Sequence, residues 1–306
     1  MAYSGVGGQA VMEGVMMKNK DIYAIAVRKP DQTIDVTTEH YGTSKQYKIF
    51  RKVPIVRGVI SFVDSLYLGM HSLMHSASFW EEEDENEKKK DIDPKKEKAQ
   101  EKAVMTGTVI FSIVAAFAIF FALPYYLSVF VGRWVFNPWL IASIEGVLRM
   151  VIFIGYVALI SLTKDIRRVY MYHGAEHKCI NCIESGLPLE VDNVRKSTRF
   201  HKRCGTSFLL VVMIISIVVF MFIRVDSRVL RLVFRLLLIP VIAGISYEFI
   251  RLAGRYDNLL IRILSQPGLW LQRITTKEPD DEMIEVGIAS VEAVFDWKKW
   301  QEEQGE

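Results

Sequence analysis

The block from Ala103 to Val131 contains no charged residue, and it constrains the fold of the chain more than any other feature. As a helix it would extend about 40 Å, which exceeds the roughly 30 Å core of a bilayer. Further apolar segments lie near residues 139–162, 205–223 and 233–253. With 51% of its 306 residues hydrophobic, the chain is predicted to be a mainly α-helical, polytopic membrane bundle of about four spans.

The rest of the sequence divides around this bundle. Residues 1–52 are predicted to be a soluble β-rich region, because apolar and polar residues alternate on both sides of the turn KPDQ. Residues 53–80 have helical periodicity interrupted by Arg57 and Asp64, which predicts an amphipathic or interfacial helix. We assign residues 81–102 to a charged linker, 103–263 to the bundle with its loop 164–204, and 264–306 to a C-terminal amphipathic tail.

Lysine and arginine are concentrated on one side of the predicted bundle. The loop 164–203 carries nine of them and the flank 95–102 carries four, whereas the turn 132–138 has only Arg133 and the turn 224–231 has three. This bias predicts a multi-pass protein of the cell membrane with both termini and the 164–203 loop in the cytosol. The N-terminus lacks the basic leader and apolar core of a cleavable signal peptide, which agrees with that orientation.

The charge pattern also bears on partners. A net charge of +3, without a continuous basic surface interleaved with aromatic residues, argues against nucleic-acid binding. The predicted partner is the lipid bilayer, and the sequence identifies no protein partner. Three cysteines, two of them close together, favour metal binding or free thiols over a disulfide framework.

The segment MYHGAEHKCINCIE, residues 171–184, concentrates metal-binding side chains. In a helix, His173 and His177 would lie one turn apart on one face and could hold one Zn²⁺ or another divalent transition metal. Glu176 beside them could act as general base toward a metal-bound water, as in the reversed zincin signature H-x-x-E-H. This predicts a hydrolase acting on a peptide or lipid-linked bond near the interface. Further candidate ligands are Cys182, His201, Cys204 and Glu248.

The same loop also contains the pattern of a structural zinc site. Cys179-x-x-Cys182 followed by His201-x-x-Cys204 supplies a Cys₃His ligand set. Such a closed site would only stabilise the loop, and the chain would then be a non-enzymatic membrane assembly factor or transporter. In a third interpretation no metal is bound, and the histidines are interfacial and the thiols packed.

Two charged residues, Glu145 and Arg149, lie within the second predicted span. Their spacing of four lets them pair along a helix. Because a charged residue at mid-bilayer costs around 2.5–3.5 kcal/mol on insertion scales, both are predicted to face the bundle interior, either at a functional site or as a structural ion pair.

Several segments resemble one family, the YqhQ-like bacterial integral membrane proteins. They are GGQAVMEGVMM, EGVLRMVIFIGYVALIS, DIRRVYMYHGAEHKCINCIE, RCGTSFLLVVM and TTKEPDDEMIEVGIASVEAV. The resemblance covers nearly the whole chain and implies a predicted metal-dependent enzyme of the bacterial inner membrane, with no established substrate. By motif it implies a site made of His173, Glu176, His177, His201 and Cys204.

The motif also bears on which residues would bind the metal. Cys179 is not part of it, which favours His173, His177 and Cys204 as ligands over the Cys₃His set. Lys202 stands where the family pattern has a proline, so this chain departs from the pattern at that turn.

Overall fold

A computed structural model describes residues 3–41, 50, 52–85, 94–223, 225, 227–256 and 258–305. The N-terminal part is a four-stranded antiparallel sheet in the order β1-β2-β3-β4. Its strands are β1 (Val6–Val11), β2 (Gly14–Asn19), β3 (Ile22–Arg28) and β4 (Ile34–His40). The predicted small N-terminal β region is therefore confirmed, and the hairpin around KPDQ pairs Ile22 with His40 and Arg28 with Ile34.

Helices form most of the remaining described chain, which confirms a mainly α-helical fold. They are α1 (Val56–Glu85), α2 (Pro94–Phe117), α3 (Leu123–Val131), α4 (Pro138–Ile160), α5 (Lys164–Glu184), α6 (Val191–Lys196), α7 (Gly205–Met221), α8 (Arg228–Arg255), α9 (Leu259–Thr275), α10 (Asp281–Val294) and α11 (Trp297–Gly305). The predicted charged linker 81–102 overlaps the end of α1 and the start of α2, and its residues 86–93 lie outside the described residues.

Three helical segments of the described chain are long and apolar enough to cross a membrane: Ala103–Val131, Pro138–Ile160 and Val229–Gly254. The fourth predicted span corresponds to α7, which is apolar but shorter. The first segment passes Pro124 without ending. A π-helical turn over Ala118–Ala122 precedes the proline, which then occupies the first turn of α3, where a missing N–H is tolerated.

The sheet is covered on both faces. On one face, α5 and α10 pack against the strands, and Tyr172, Ile180 and Ile284 join Val15 and Met17 in a buried apolar core. On the other face, Leu68 of α1 packs against a second cluster that includes Ile25. The N-terminal sheet, the helix bearing the H-x-x-E-H motif and the C-terminal helix α10 thus share one core.

The charged residues predicted to face the bundle interior are buried there. Arg149 Nη2 lies 2.8 Å from Glu145 Oε1, and Arg235 of α8 donates to both oxygens of the same carboxylate at 2.6 and 2.9 Å. Each of the three side chains is no more than 6% exposed. Arg149 also donates to Ser216 of α7, so the cluster ties three helices together.

Candidate metal centre

The site combines side chains of helix α5 with the residue at the N-terminus of helix α7. Helix α5 carries His173, Glu176 and His177 on the same face, and the rings of the two histidines lie 4.4 Å apart. Cys204 is the N-cap of α7, and its Sγ lies 3.2 Å from Nε2 of His173. One ligand atom from each of His173, His177 and Cys204 lies within 4.8 Å of the others. This is the one such group found among the described residues.

Backbone carbonyls fix both imidazoles. Nδ1 of His173 lies 2.8 Å from the carbonyl oxygen of Thr275, and Nδ1 of His177 lies 2.6 Å from that of Arg199. When Nδ1 carries the proton and donates it to a carbonyl, Nε2 keeps a lone pair. Metal-ligating histidines are oriented in this way in proteins. Nε2 of each ring is therefore the atom that could bind a metal, once any proton on it has been released.

Gly174 allows the chain segment bearing Thr275 to approach α5. A Cβ at this position would overlap the carbonyl oxygen of Lys277 and lie 3.2 Å from its carbonyl carbon. The amide of Lys277 in turn donates to the carbonyl of Tyr170 at 2.8 Å. The glycine of the H-G-A-E-H motif thus serves the orientation of the histidine that precedes it.

The donor set suits a transition metal. Two imidazoles and a thiolate match the ligand preferences of Zn²⁺, and a tetrahedral zinc site separates its ligand atoms by roughly 3.3–3.8 Å. The separation of 3.2 Å between Cys204 Sγ and His173 Nε2 is close to that range. Three protein ligands with a free fourth position are typical of catalytic rather than structural zinc.

Electrostatics favours a cation beside Cys204. Burial alone would raise the pKa of its thiol, but the imidazoles of His173 and His177 lower that pKa well below its ordinary value. Burial likewise opposes charge on His173, yet the neighbouring thiolate raises the pKa of its imidazole to about 9. The Thr206 amide donates to the sulfur at 3.4 Å at the start of α7, which also favours the thiolate.

Glu176 occupies a buried position beside the histidines. Its side chain is 5% exposed, and this burial raises the pKa of its carboxyl group. The nearby backbone of Gly8 in β1 partly offsets this rise by lowering the pKa. A Cβ on Gly8 would lie 3.0 Å from Cγ of Glu176 and 2.6 Å from the carbonyl oxygen of Met16, so the strand approaches the carboxylate this closely because residue 8 has no side chain.

A cavity of about 670 Å³ opens onto the site. It lies between β1, α1 and α5, and its walls include His173, Glu176, His177 and Cys204. Leu68 and Leu209 contribute apolar surface. This volume is within the range of small-molecule sites, so a ligand could reach the clustered side chains.

The structure does not bring Cys182 or Cys179 to this point. The thiol of Cys182 donates to the carbonyl of Pro188 at 3.3 Å. Because α5 is continuous, Cys182 lies nine positions and roughly 180° around the helix from His173. Cys179 likewise faces α10, where its sulfur would lie 2.9 Å from a Cβ on Gly287. The Cys₃His set is therefore not assembled in this structure.

Glu248 and His201 have other partners. Glu248 forms an ion pair with Arg57 of α1, at the end of α8. His201 stays at the site, with its ring 5.6 Å from that of His177, but its Nε2 lies 3.7 Å from the carboxylate of Glu184 and 3.1 Å from Arg203. His201 therefore lines the cavity beside the three clustered residues without joining them.

Sequence reasoning missed the groups that position the ligands. The carbonyls of Thr275 and Arg199 and the peptide group of Gly8 are backbone groups, for which residue type gives no signal. Cys204 as an N-cap could have been found, since it directly precedes an apolar helical run.

Comparison with known proteins agrees with the motifs. A family model described as a protein of unknown function (DUF1385) matches residues 53–297. The chain belongs to this family. The DUF1385 match includes α5, the loop bearing Cys204 and the Thr275 segment, whereas the sheet with Gly8 precedes it.

One curated relative matches nearly the whole DUF1385 protein. It is the uncharacterised protein YqhQ of Bacillus subtilis (strain 168), 35% identical over 288 residues, which cover 93% of this chain and 90% of the relative. The resemblance to the YqhQ-like family is thus confirmed. No solved structure matches the chain.

Proposed function

We propose that this chain is a membrane-embedded, metal-dependent hydrolase with Zn²⁺ as its metal. His173, His177 and Cys204 hold the metal, and Glu176 is the general base. The observation that carries the proposal is the pair of carbonyl-to-Nδ1 hydrogen bonds, which leave Nε2 of each ring as the atom that can bind a metal beside the Cys204 sulfur. The cavity in front of these atoms supplies room for a substrate.

Each residue of the site would have a distinct role in hydrolysis. A bound Zn²⁺ acts as a Lewis acid and lowers the pKa of water toward ~7, which supplies a nucleophile at neutral pH. Glu176 accepts the proton of the attacking water and returns it to the leaving group. Its burial and its close contact with Gly8 hold the carboxylate beside the two histidines. The Arg199 and Thr275 carbonyls keep the imidazoles in one tautomer throughout.

The shared core supports four membrane crossings. The N-terminal sheet, α5 and α10 pack together, so they lie on one side of any bilayer that the chain crosses. A return to the same side requires an even number of crossings. Three helical segments are long enough to cross, so an even number requires α7, about 25 Å long, as the fourth crossing. The lysine and arginine bias then places the metal centre and both termini in the cytosol.

Metal analysis of the purified protein tests the proposal. We expect one zinc per chain in detergent, measured by elemental mass spectrometry. His173→Ala and Cys204→Ser should lose it, whereas Glu176→Gln should keep the zinc and lose hydrolysis of fluorogenic peptide and ester substrates. Wild-type protein without a stoichiometric transition metal would remove the proposal.

His201 favours a second candidate function. Its ring lies 5.6 Å from that of His177, near enough to complete a closed, four-ligand site by a modest side-chain rearrangement. The metal would then be structural and the chain a non-enzymatic membrane factor. Glu176→Gln separates the two functions, because the cellular phenotype of a deletion should be rescued by this variant only if the site is structural.

A further inference from the structure

The edge of the sheet beside the metal centre is open. β1 pairs with β2 on one side only, and Gly7, Gly8 and Gln9 are exposed. The same three residues line the cavity that contains His173, Glu176 and His177. An edge strand presents a row of backbone donors and acceptors to whatever lies beside it.

The direction of these groups follows from two hydrogen bonds. The amide of Val6 donates to Oγ of Ser4, and the amide of Met12 donates to Oγ of Ser76, both at 3.2 Å. Neither amide therefore points toward β2. Because backbone groups alternate between the two sides of a strand, the N–H and C=O of Gly8 and Ala10 also point away from β2.

The backbone groups on the outer side of β1 differ in whether another group contacts them. The backbone of Gly8 lies against Glu176. Within the described part of the chain, no loop or side-chain partner is found for the carbonyl of Gly8 or for the amide and carbonyl of Ala10. Three backbone groups beside the metal centre are thus free to pair with an added strand.

We infer that the substrate is an extended polypeptide segment that pairs with the outer edge of β1. This inference rests on the proposed hydrolase function and names its substrate class. Backbone pairing at Gly8 and Ala10 would lay the segment across the cavity and present a peptide bond to His173, His177 and Cys204. Main-chain hydrogen bonds would supply affinity, as in other cases of β-strand addition, and apolar walls such as Leu68 and Leu209 would receive side chains.

The geometry favours a polypeptide over a lipid-linked substrate. A lipid chain offers no donors or acceptors for the row of groups on β1, and burying those groups without partners would be unfavourable. Gly8 also brings the strand that would hold the substrate against Glu176, so substrate register and base position depend on the same residue. Hydrolysis would break the C–N bond of the peptide. The hydroxyl of water adds to the carbonyl carbon and a proton goes to the amine, so no further reactant is needed.

Hydrogen exchange tests the pairing on the full chain. The probe is casein, an unstructured polypeptide, added in excess to zinc-loaded Glu176→Gln protein in detergent. We expect amide exchange in β1 to slow about tenfold. β4 is a matched internal control, because it is the other edge of the same sheet and does not line the cavity. Unchanged exchange in β1, or equal slowing in both edges, would overturn the inference.

A variant gives a second measurement. Ala10→Pro removes an outward amide that β2 does not use, a position where an edge strand accepts proline. It should weaken casein binding about tenfold, as expected for one lost backbone hydrogen bond, while zinc content stays at the wild-type level. Ala10→Ser, which keeps the amide, should bind casein normally. Normal binding by Ala10→Pro would contradict the pairing.

These readouts separate the two proposals. Absence of zinc from the wild type would remove the hydrolase itself. Zinc-loaded protein that cleaves ester substrates but neither binds nor cleaves casein would leave the metal centre intact and exclude the polypeptide substrate.

Discussion

Replacing Gly174 by alanine should disturb the proposed metal centre without changing any of its proposed ligands. An added Cβ would overlap the carbonyl oxygen of Lys277, a backbone atom that no rotamer change can move aside. To regain an ordinary contact distance, the segment would have to withdraw by roughly 1 Å. Thr275 lies two residues before Lys277, and its carbonyl oxygen is 2.8 Å from Nδ1 of His173. After the withdrawal these two atoms would be too far apart for a hydrogen bond.

Two opposing effects set the size of the change. Alanine in a helix gains about 1 kcal/mol over glycine. Overpacking a tight contact costs about 1–3 kcal/mol. Gly174→Ala should therefore be neutral to moderately destabilised. Loss of the orienting hydrogen bond typically lowers metal affinity 10- to 100-fold, and this larger effect should dominate.

Competition with a chromophoric zinc chelator in detergent measures the affinity. The matched control is Gly155→Ala in α4, because a Cβ there would meet no atom within 4 Å. The control should keep wild-type zinc affinity and unfold at an equal or higher temperature. Wild-type zinc affinity in Gly174→Ala would refute the link between this glycine and the orientation of His173.

Three further predictions concern other parts of the molecule. Glu145→Gln removes the one carboxylate between two buried arginines and should cost about 3–5 kcal/mol, measured by thermal unfolding in detergent; a loss below about 1 kcal/mol would contradict the burial. Cys182→Ser should keep the zinc and Cys204→Ser should lose it, as measured by elemental mass spectrometry, since the Cys204 thiol is near the histidines and the Cys182 thiol is not. Equal loss of zinc in both variants would favour the Cys₃His ligand set instead. Burial alone would raise the pKa of Glu184, but His201, Arg203 and Ser4 lower that pKa from its ordinary value of 4.5 to about 2. Its contribution to stability should therefore be complete above pH ~5 and lost as the pH falls from about 4 to 2, and urea unfolding should show a smaller acid loss in Glu184→Gln.

Local patterns predicted the local features of this chain. The alternation around KPDQ predicted the β3–β4 hairpin, and uncharged runs predicted the long helices. The spacing of His173 and His177 placed both on one helical face, where the structure has them. These features depend on residues close in sequence, so the sequence alone was sufficient.

Partners distant in sequence were not predictable in the same way. Glu248 was a reasonable candidate ligand by sequence, but in the structure its carboxylate pairs with Arg57, which lies 191 positions earlier in the chain. Cys182 could have been excluded, because a helix that continues to Glu184 turns this thiol away from His173. The backbone carbonyls that hold the imidazoles were beyond sequence reasoning, since every residue has one.

The shared carboxylate of Glu145 has a consequence for biosynthesis. Arg149 reaches it within the same helix, so α4 can enter a bilayer as a neutral pair as soon as it leaves the ribosome. Arg235 emerges 90 positions after Glu145 and brings a second positive charge, which among the described residues pairs with this carboxylate alone. If these helices cross the membrane as proposed, α8 would insert favourably only once α4 is already in place. Chain order and charge together would then impose a sequence of insertion events on the nascent protein.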